Sequence, residues 1–268
     1  MSKYRIGIIA EGPTDISVIQ AIIKNAFPDK VFLFVPISPT PQELSMQKKD
    51  ESFGWGGVYR VCKNLHDKLQ IAEGAGGKFD CIVVHVDADI AYAKYGDIGE
   101  LNPVIDNLPC GKIKESYDEV CVKLEKILLD WIGEKRDDIA PCIPYICTET
   151  WVGCWLFPEQ RESVAEDTEE HAIYDLLYKL GIGKAQKNKR IIRKSEGRFR
   201  KCPNGYNNAA KLLSDKGWYM LANKYTQVRR FNEKNEGNYN LIFFILKFVV
   251  YNKDGNVVML RLLNKLDD

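Results

Sequence analysis

Two short, almost uninterrupted apolar runs constrain this chain more than anything else in it: residues 4–10 (Tyr-Arg-Ile-Gly-Ile-Ile-Ala) and residues 80–86 (Asp-Cys-Ile-Val-Val-His-Val). A strand that is apolar at nearly every position, rather than at every second one, has to be covered on both faces. That is the habit of strands in the middle of a parallel sheet. Parallel neighbours need long crossovers, usually helices, and helical spacing does follow the strands. Ile16, Ile19, Ile22 and Ile23 recur after the first run; Val61, Leu65, Leu69 and Ala72 mark a helix over 58–72. Val120, Leu124, Ile127, Leu128 and Trp131 mark another over 116–131. Further strands are expected at 31–37 and 139–147, the latter at an edge because Pro141 and Pro144 interrupt it. The expected fold is α/β, a mostly parallel sheet flanked by helices.

The second half changes character. Residues 159–170 carry six acids against Arg161, and residues 184–201 carry nine Lys or Arg against Glu196, a local net charge of +8. Helical patterns follow at 206–213 and 218–225, and the Val/Phe/Ile-rich tail at 241–263 is read as a hairpin around the turn at 252–255. The expected organisation is thus an α/β domain over 1–157 and a helical, partly basic C-terminal elaboration over 158–268. The whole chain, at +1 over 268 residues, offers no global field to attract nucleic acid. Any such attraction must be local, and the basic run supplies it: Lys187, Lys189, Arg190, Arg193, Lys194, Arg198, Arg200 and Lys201 are the candidate phosphate contacts. The competing account is a solvated helix face that pairs with the acidic run.

Open α/β sheets place their sites beyond the carboxyl ends of the strands, and acids stand there. The first strand leads straight into Glu11-Gly12-Pro13-Thr14-Asp15, a strand-to-helix corner in which Thr14 or Asp15 is expected to cap the helix. The strand over 80–86 leads into Asp87-Ala88-Asp89. In an extended chain residues i and i+2 point the same way, so the two carboxylates would lie about 7 Å apart on one face and repel unless a cation sits between them. Hard oxygen ligands suit Mg²⁺ or Mn²⁺. His85, on the same strand face as Asp87, reads as a buried core histidine, with support of the Asp87 carboxylate as the other reading.

A strand ending in Glu-Gly-x-Thr-Asp before a helix, followed by an apolar strand ending in Asp-x-Asp, resembles the Toprim domain of topoisomerases, bacterial primases and OLD nucleases. The resemblance covers about residues 1–150. It implies that Glu11, Asp87 and Asp89 are catalytic acids that gather one or two Mg²⁺ (or Mn²⁺) ions, with Asp15 as an added ligand. Stand-alone bacterial Toprim proteins, anti-phage effectors that work with an ATPase, carry a Glu-x-Trp after the last core strand. Here Glu149-Thr150-Trp151 takes that place, so Glu149 is either a further metal ligand or an acid favoured by a helix N-terminus. Neither a zinc module nor a large tyrosine-bearing domain is evident, which leaves metal-dependent phosphodiester hydrolysis of DNA or RNA. The alternative is a non-catalytic subunit or sensor of the same fold, acting through protein partners such as an ATPase, with Trp55, Tyr59, Trp218 and the apolar tail in the interface; on either reading a homodimer is one expected arrangement. A phosphoreceiver-like domain would want a lysine at the end of a late strand, and 139–147 has none.

The eight cysteines include no CxxC pair, and Cys142, Cys147 and Cys154 fit no standard zinc spacing, so buried structural thiols are expected. No secretion signal and no membrane span are expected, and hence a cytoplasmic protein.

Overall fold

The structure is a computed structural model, and it describes residues 3–26, 30–45, 53–74, 76–100, 108, 117–134, 136–144, 146–157, 170–181 and 190–212. In chain order the elements are β1 (Lys3–Ile9), α1 (Pro13–Ala26), β2 (Val31–Ser38), α2 (Pro41–Ser45), α3 (Gly54–Lys63), α4 (Leu65–Gly74), β3 (Cys81–His85), α5 (Tyr117–Ile132), β4 (Ile139–Cys142), α6 (Thr148–Leu156), α7 (Glu170–Gly181), β5 (Ile192–Ser195), β6 (Arg198–Lys201) and α8 (Pro203–Leu212). Two short 3-10 helices, Ala88–Tyr92 and Tyr95–Ile98, follow β3.

The chain divides into two compact units that interleave along the sequence, where sequence reading places a single boundary at 157. The first holds all four parallel strands, in the order β2-β1-β3-β4. The two runs that looked buried on both faces occupy the centre. All five residues of β3 are buried, as are Ile6, Ile8 and Ile9 of β1. The edges carry what a central strand could not. Pro36 sits in β2 beside a register shift opposite Ile8/Ile9, and Pro141 sits in β4. Helices α3 and α4 pack on β2, and α3 also packs on α5.

Helix α5 buries Val120, Leu124, Leu128 and Trp131, one stripe at helical spacing. The helix expected over 58–72 is two helices, α3 and α4, parted at Asn64. Glu125 lies beside the buried stripe of α5, and burial pushes its carboxyl up to about 7. An unfolded chain returns it to about 4.3, so the folded state holds the proton more tightly. Stability from this group is therefore present below about pH 4 and lost as pH rises towards about 7. Glu125→Gln should gain on the parent protein between about pH 5 and about pH 8 in denaturant melts. An unchanged difference would mean the carboxyl is not desolvated.

The second unit contains α1, α6, α7, the antiparallel ribbon β5–β6, and α8. Helix α1 begins at Pro13, so Thr14 and Asp15 lie inside its first turn and neither is its cap. Proline favours the first helical position because the N–H it lacks would be spare there. The basic stretch from 192 to 201 is a ribbon, not a helix face. Its two-residue turn is Glu196-Gly197, both left-handed (φ 52° and 76°), as type I′ hairpins require. At the start of α8, Gly205 presses on the Arg190 carbonyl, where a Cβ would have no room. No helix among the described residues is long and apolar enough to cross a membrane. Lys184, Lys187, Lys189, Trp218, Cys110, the acidic run over 159–169, the helix at 218–225 and the terminal hairpin lie outside the described residues.

Candidate functional site

In the first unit, β1 and β3 run side by side with Ile9 opposite Val84. Glu11 and Asp87 therefore emerge from the same, carboxyl end of adjacent central strands. They meet there: the Asp87 backbone N–H donates to Glu11 Oε1 at 2.8 Å. The Glu11 carbonyl in turn accepts the Gly54 N–H at 2.9 Å, which ties the strand end to the start of α3. Asp87 is 5% exposed, and its Oδ1 lies 3.4 Å from Nε2 of the fully buried His85.

Asp89 does not share an extended face with Asp87. The chain turns into the 3-10 helix Ala88–Tyr92 directly after Asp87, which stands at its N-cap without using its side chain to cap it. The turn is what buries Ala88, Ile90 and Ala91. Three residues per turn then rotate Asp89, half-buried in the first turn, away from the Asp87 direction. Among the described residues no three of His, Cys, Asp and Glu stand close enough together to hold a metal ion as they lie. The donor chemistry of Glu11, Asp87 and Asp89, all hard carboxylate oxygens, is that of a magnesium or manganese site.

The second unit contains a buried polar cluster that brings together two further candidate ligands. Asp15, in the first turn of α1, and Glu149, in the first turn of α6, are 1% and 0% exposed. Both therefore sit at helix N-termini, where the dipole favours an anion. Thr148 Oγ1 donates to Asp15 Oδ1 at 3.1 Å. Lys201, at the end of β6, places its Nζ 2.9 Å from Glu149 Oε1 and 3.4 Å from Asp15 Oδ1. The phenols of Tyr206 on α8 and Tyr174 on α7 donate to the two oxygens of Glu149. The cation between Asp15 and Glu149 is thus an ammonium of the chain itself. Burial alone would lower its pKa, but Glu149 and Asp15 outweigh burial and hold it well above the usual lysine range. Burial, with Glu149 next in weight, raises the Tyr206 phenol well above its ordinary value and keeps it a donor.

Sequence inspection offered Lys201 for phosphate and did not find Tyr174 or Tyr206 at all. The signal available was alternation. Cross-strand partners share a face, so the ribbon has one face of Ile192, Lys194, Phe199 and Lys201 and another of Arg193, Ser195, Arg198 and Arg200. The first face is anchored: Ile192 is buried, Phe199 packs on Tyr174 and Tyr178, Lys194 Nζ lies 5.2 Å over the Phe199 ring, and Lys201 reaches the acids. Arg190, ahead of the ribbon, spends its Nε on the Gly181 carbonyl at 3.0 Å.

The aromatics considered for a partner interface are partly used internally. Trp55 and Tyr59 pack with Tyr95 and Trp131, and Trp131 Nε1 donates to Tyr95 Oη at 2.8 Å. Cys62, Cys81, Cys142 and Cys147 are buried thiols, and burial pushes those of Cys62 and Cys81 up to about 12. They are poor nucleophiles in that state.

No family model, curated protein or solved structure matches the chain.

Proposed function

We propose that the protein is a metal-dependent nuclease of the Toprim kind, hydrolysing phosphodiester bonds in DNA or RNA, and that it serves as an anti-phage effector under the control of a partner ATPase. One observation carries the hydrolytic reading: Glu11 and Asp87, from the carboxyl ends of the two central parallel strands, are joined by a hydrogen bond, with Asp89 two residues further on. Acids at strand ends in such a sheet are where ligands and substrates bind.

In this reading Glu11, Asp87 and Asp89 would hold Mg²⁺ or Mn²⁺. The ion, when bound, would supply an activated water and offset charge on the leaving oxygen. The protein's own share is positional. The Asp87 N–H fixes the Glu11 carboxylate at the strand end. Held there, Glu11 would also be placed to take a proton from the attacking water. His85, against Asp87 Oδ1, orients that carboxylate from inside the sheet.

The test is direct. The purified chain, incubated with Mg²⁺ or Mn²⁺ and a mixture of plasmid DNA, single-stranded DNA and RNA, should cleave at least one of them, and a chelator should stop it. Manganese should also bind the metal-free protein in calorimetry. The absence of both cleavage and manganese binding would overturn the proposal.

A further inference from the structure

The basic ribbon is two-sided, and its outer side has a property that the sequence run hides. Arg193 and Arg200 are directly opposite each other across β5 and β6, and Arg198 lies two residues from Arg200 on the same face. All three are exposed. Like charges paired across strands destabilise a sheet. Among the described residues, no carboxylate forms a salt bridge with any of them. Three guanidinium groups on one small face, with no carboxylate of the described residues paired to them, suit a polyanion.

The same face also says what form the polyanion takes. Binding of unpaired strands depends on aromatic platforms on which bases stack. The ribbon's one aromatic, Phe199, is turned to the other face, against Tyr174 and Tyr178. What remains outside is guanidinium and the Ser195 side chain, groups that bind phosphate. A two-stranded ribbon is of the size that the major groove of B-form DNA, about 12 Å wide, admits. The major groove of A-form RNA is too narrow and deep for side chains to enter. The inner face is anchored through Ile192, Phe199 and Lys201, which leaves the outer face to present the arginines.

We propose that Arg193, Arg198 and Arg200 form a clamp for the phosphate backbone of double-stranded DNA. The inference rests on the nuclease reading and narrows its substrate to duplex DNA, bound without dependence on sequence.

Binding is measured by fluorescence anisotropy on the full chain, in chelator so that nothing is cut. The ligands are a duplex DNA of about 20 base pairs, a single strand of it and a duplex RNA of the same sequence. Wild-type protein should bind duplex DNA tightest. Neutralising three phosphate contacts corresponds to about 2.7 in the slope of log K against log salt. The triple variant Arg193→Gln, Arg198→Gln, Arg200→Gln should therefore flatten that slope by about 2 to 3 and weaken binding at low salt at least about tenfold. Its melting temperature should not fall, since all three side chains are exposed and their neutralisation removes a like-charge pair across the strands. A charge-matched control, Lys63→Gln, Lys78→Gln, Lys126→Gln, replaces exposed lysines of the first unit and should bind as wild type does.

Equal binding by the arginine variant, equal loss in the control, or preference for single strands or duplex RNA overturns the clamp. If the wild-type chain cleaves nucleic acid while the arginine variant binds normally, the clamp alone falls. If the wild type binds no nucleic acid in any form, the nuclease reading falls with it.

Discussion

Glu11→Gln should abolish metal-dependent cleavage while leaving the fold intact. The substitution keeps an oxygen at the Oε1 position, so the Asp87 N–H retains an acceptor at the end of β1. What disappears is the charge. Changes to groups that merely support metal ligands lower affinity or activity about 10- to 100-fold, so loss of a ligand should reduce cleavage by at least about 100-fold. Asp87→Asn should behave alike, with the added loss of the charge facing His85. Each variant is compared with the parent by cleavage rate at saturating Mg²⁺, by calorimetric Mn²⁺ affinity and by thermal melting. Unchanged melting with both cleavage and Mn²⁺ affinity reduced is the expected pattern. If both variants cut as fast as the parent, the strand-end acids are not the catalytic ones, whatever else the protein does.

The parts of this fold that were legible in the sequence are those set by local periodicity. The doubly buried strands β1 and β3, the stripe on α5 and the proline-marked edge strand β4 are readable because burial on one or both faces imposes a period on a single stretch of chain. Asp87-Ala88-Asp89 was misread for the opposite reason. Three residues carry no period, and burial of Ala88, Ile90 and Ala91 decides in favour of a 3-10 turn over an extended run. The ribbon was hidden because its alternation is written in charges on both faces. Lys194 and Lys201 on one side look the same in sequence as Arg193, Arg198 and Arg200 on the other. Only the partners tell them apart, and those partners are remote. Asp15 is 186 residues from Lys201, and no local pattern connects them.

That remote cluster sets the second large effect expected here, the destabilisation caused by Lys201→Met. Methionine keeps an apolar stem of similar length and removes the ammonium. Asp15 and Glu149, at 1% and 0% exposure, would then share a buried site with no cation among the described residues. The Tyr174, Tyr206 and Thr148 hydroxyls would still donate to them, but hydrogen bonds from neutral donors do not cancel a net buried charge. Breaking a buried ion pair by removing one partner destabilises by about 3–5 kcal/mol. The Lys201 side chain is 30% exposed, so water screens it in part and the lower figure, about 3 kcal/mol, is expected. For a chain of this size that is a fall of roughly 6–12 °C in melting temperature. The diagnostic step is the rescue. Replacing the carboxylates as well, in Lys201→Met with Asp15→Asn and Glu149→Gln, removes the uncompensated charge and should recover most of the loss, because a neutral set of similar shape leaves little to desolvate. Denaturant titrations of the single and triple variants at neutral pH measure both. A single variant within about 1 kcal/mol of wild type would mean that solvent, not Lys201, neutralises the acids. A triple variant no more stable than the single would mean that the loss does not come from uncompensated charge on Asp15 and Glu149.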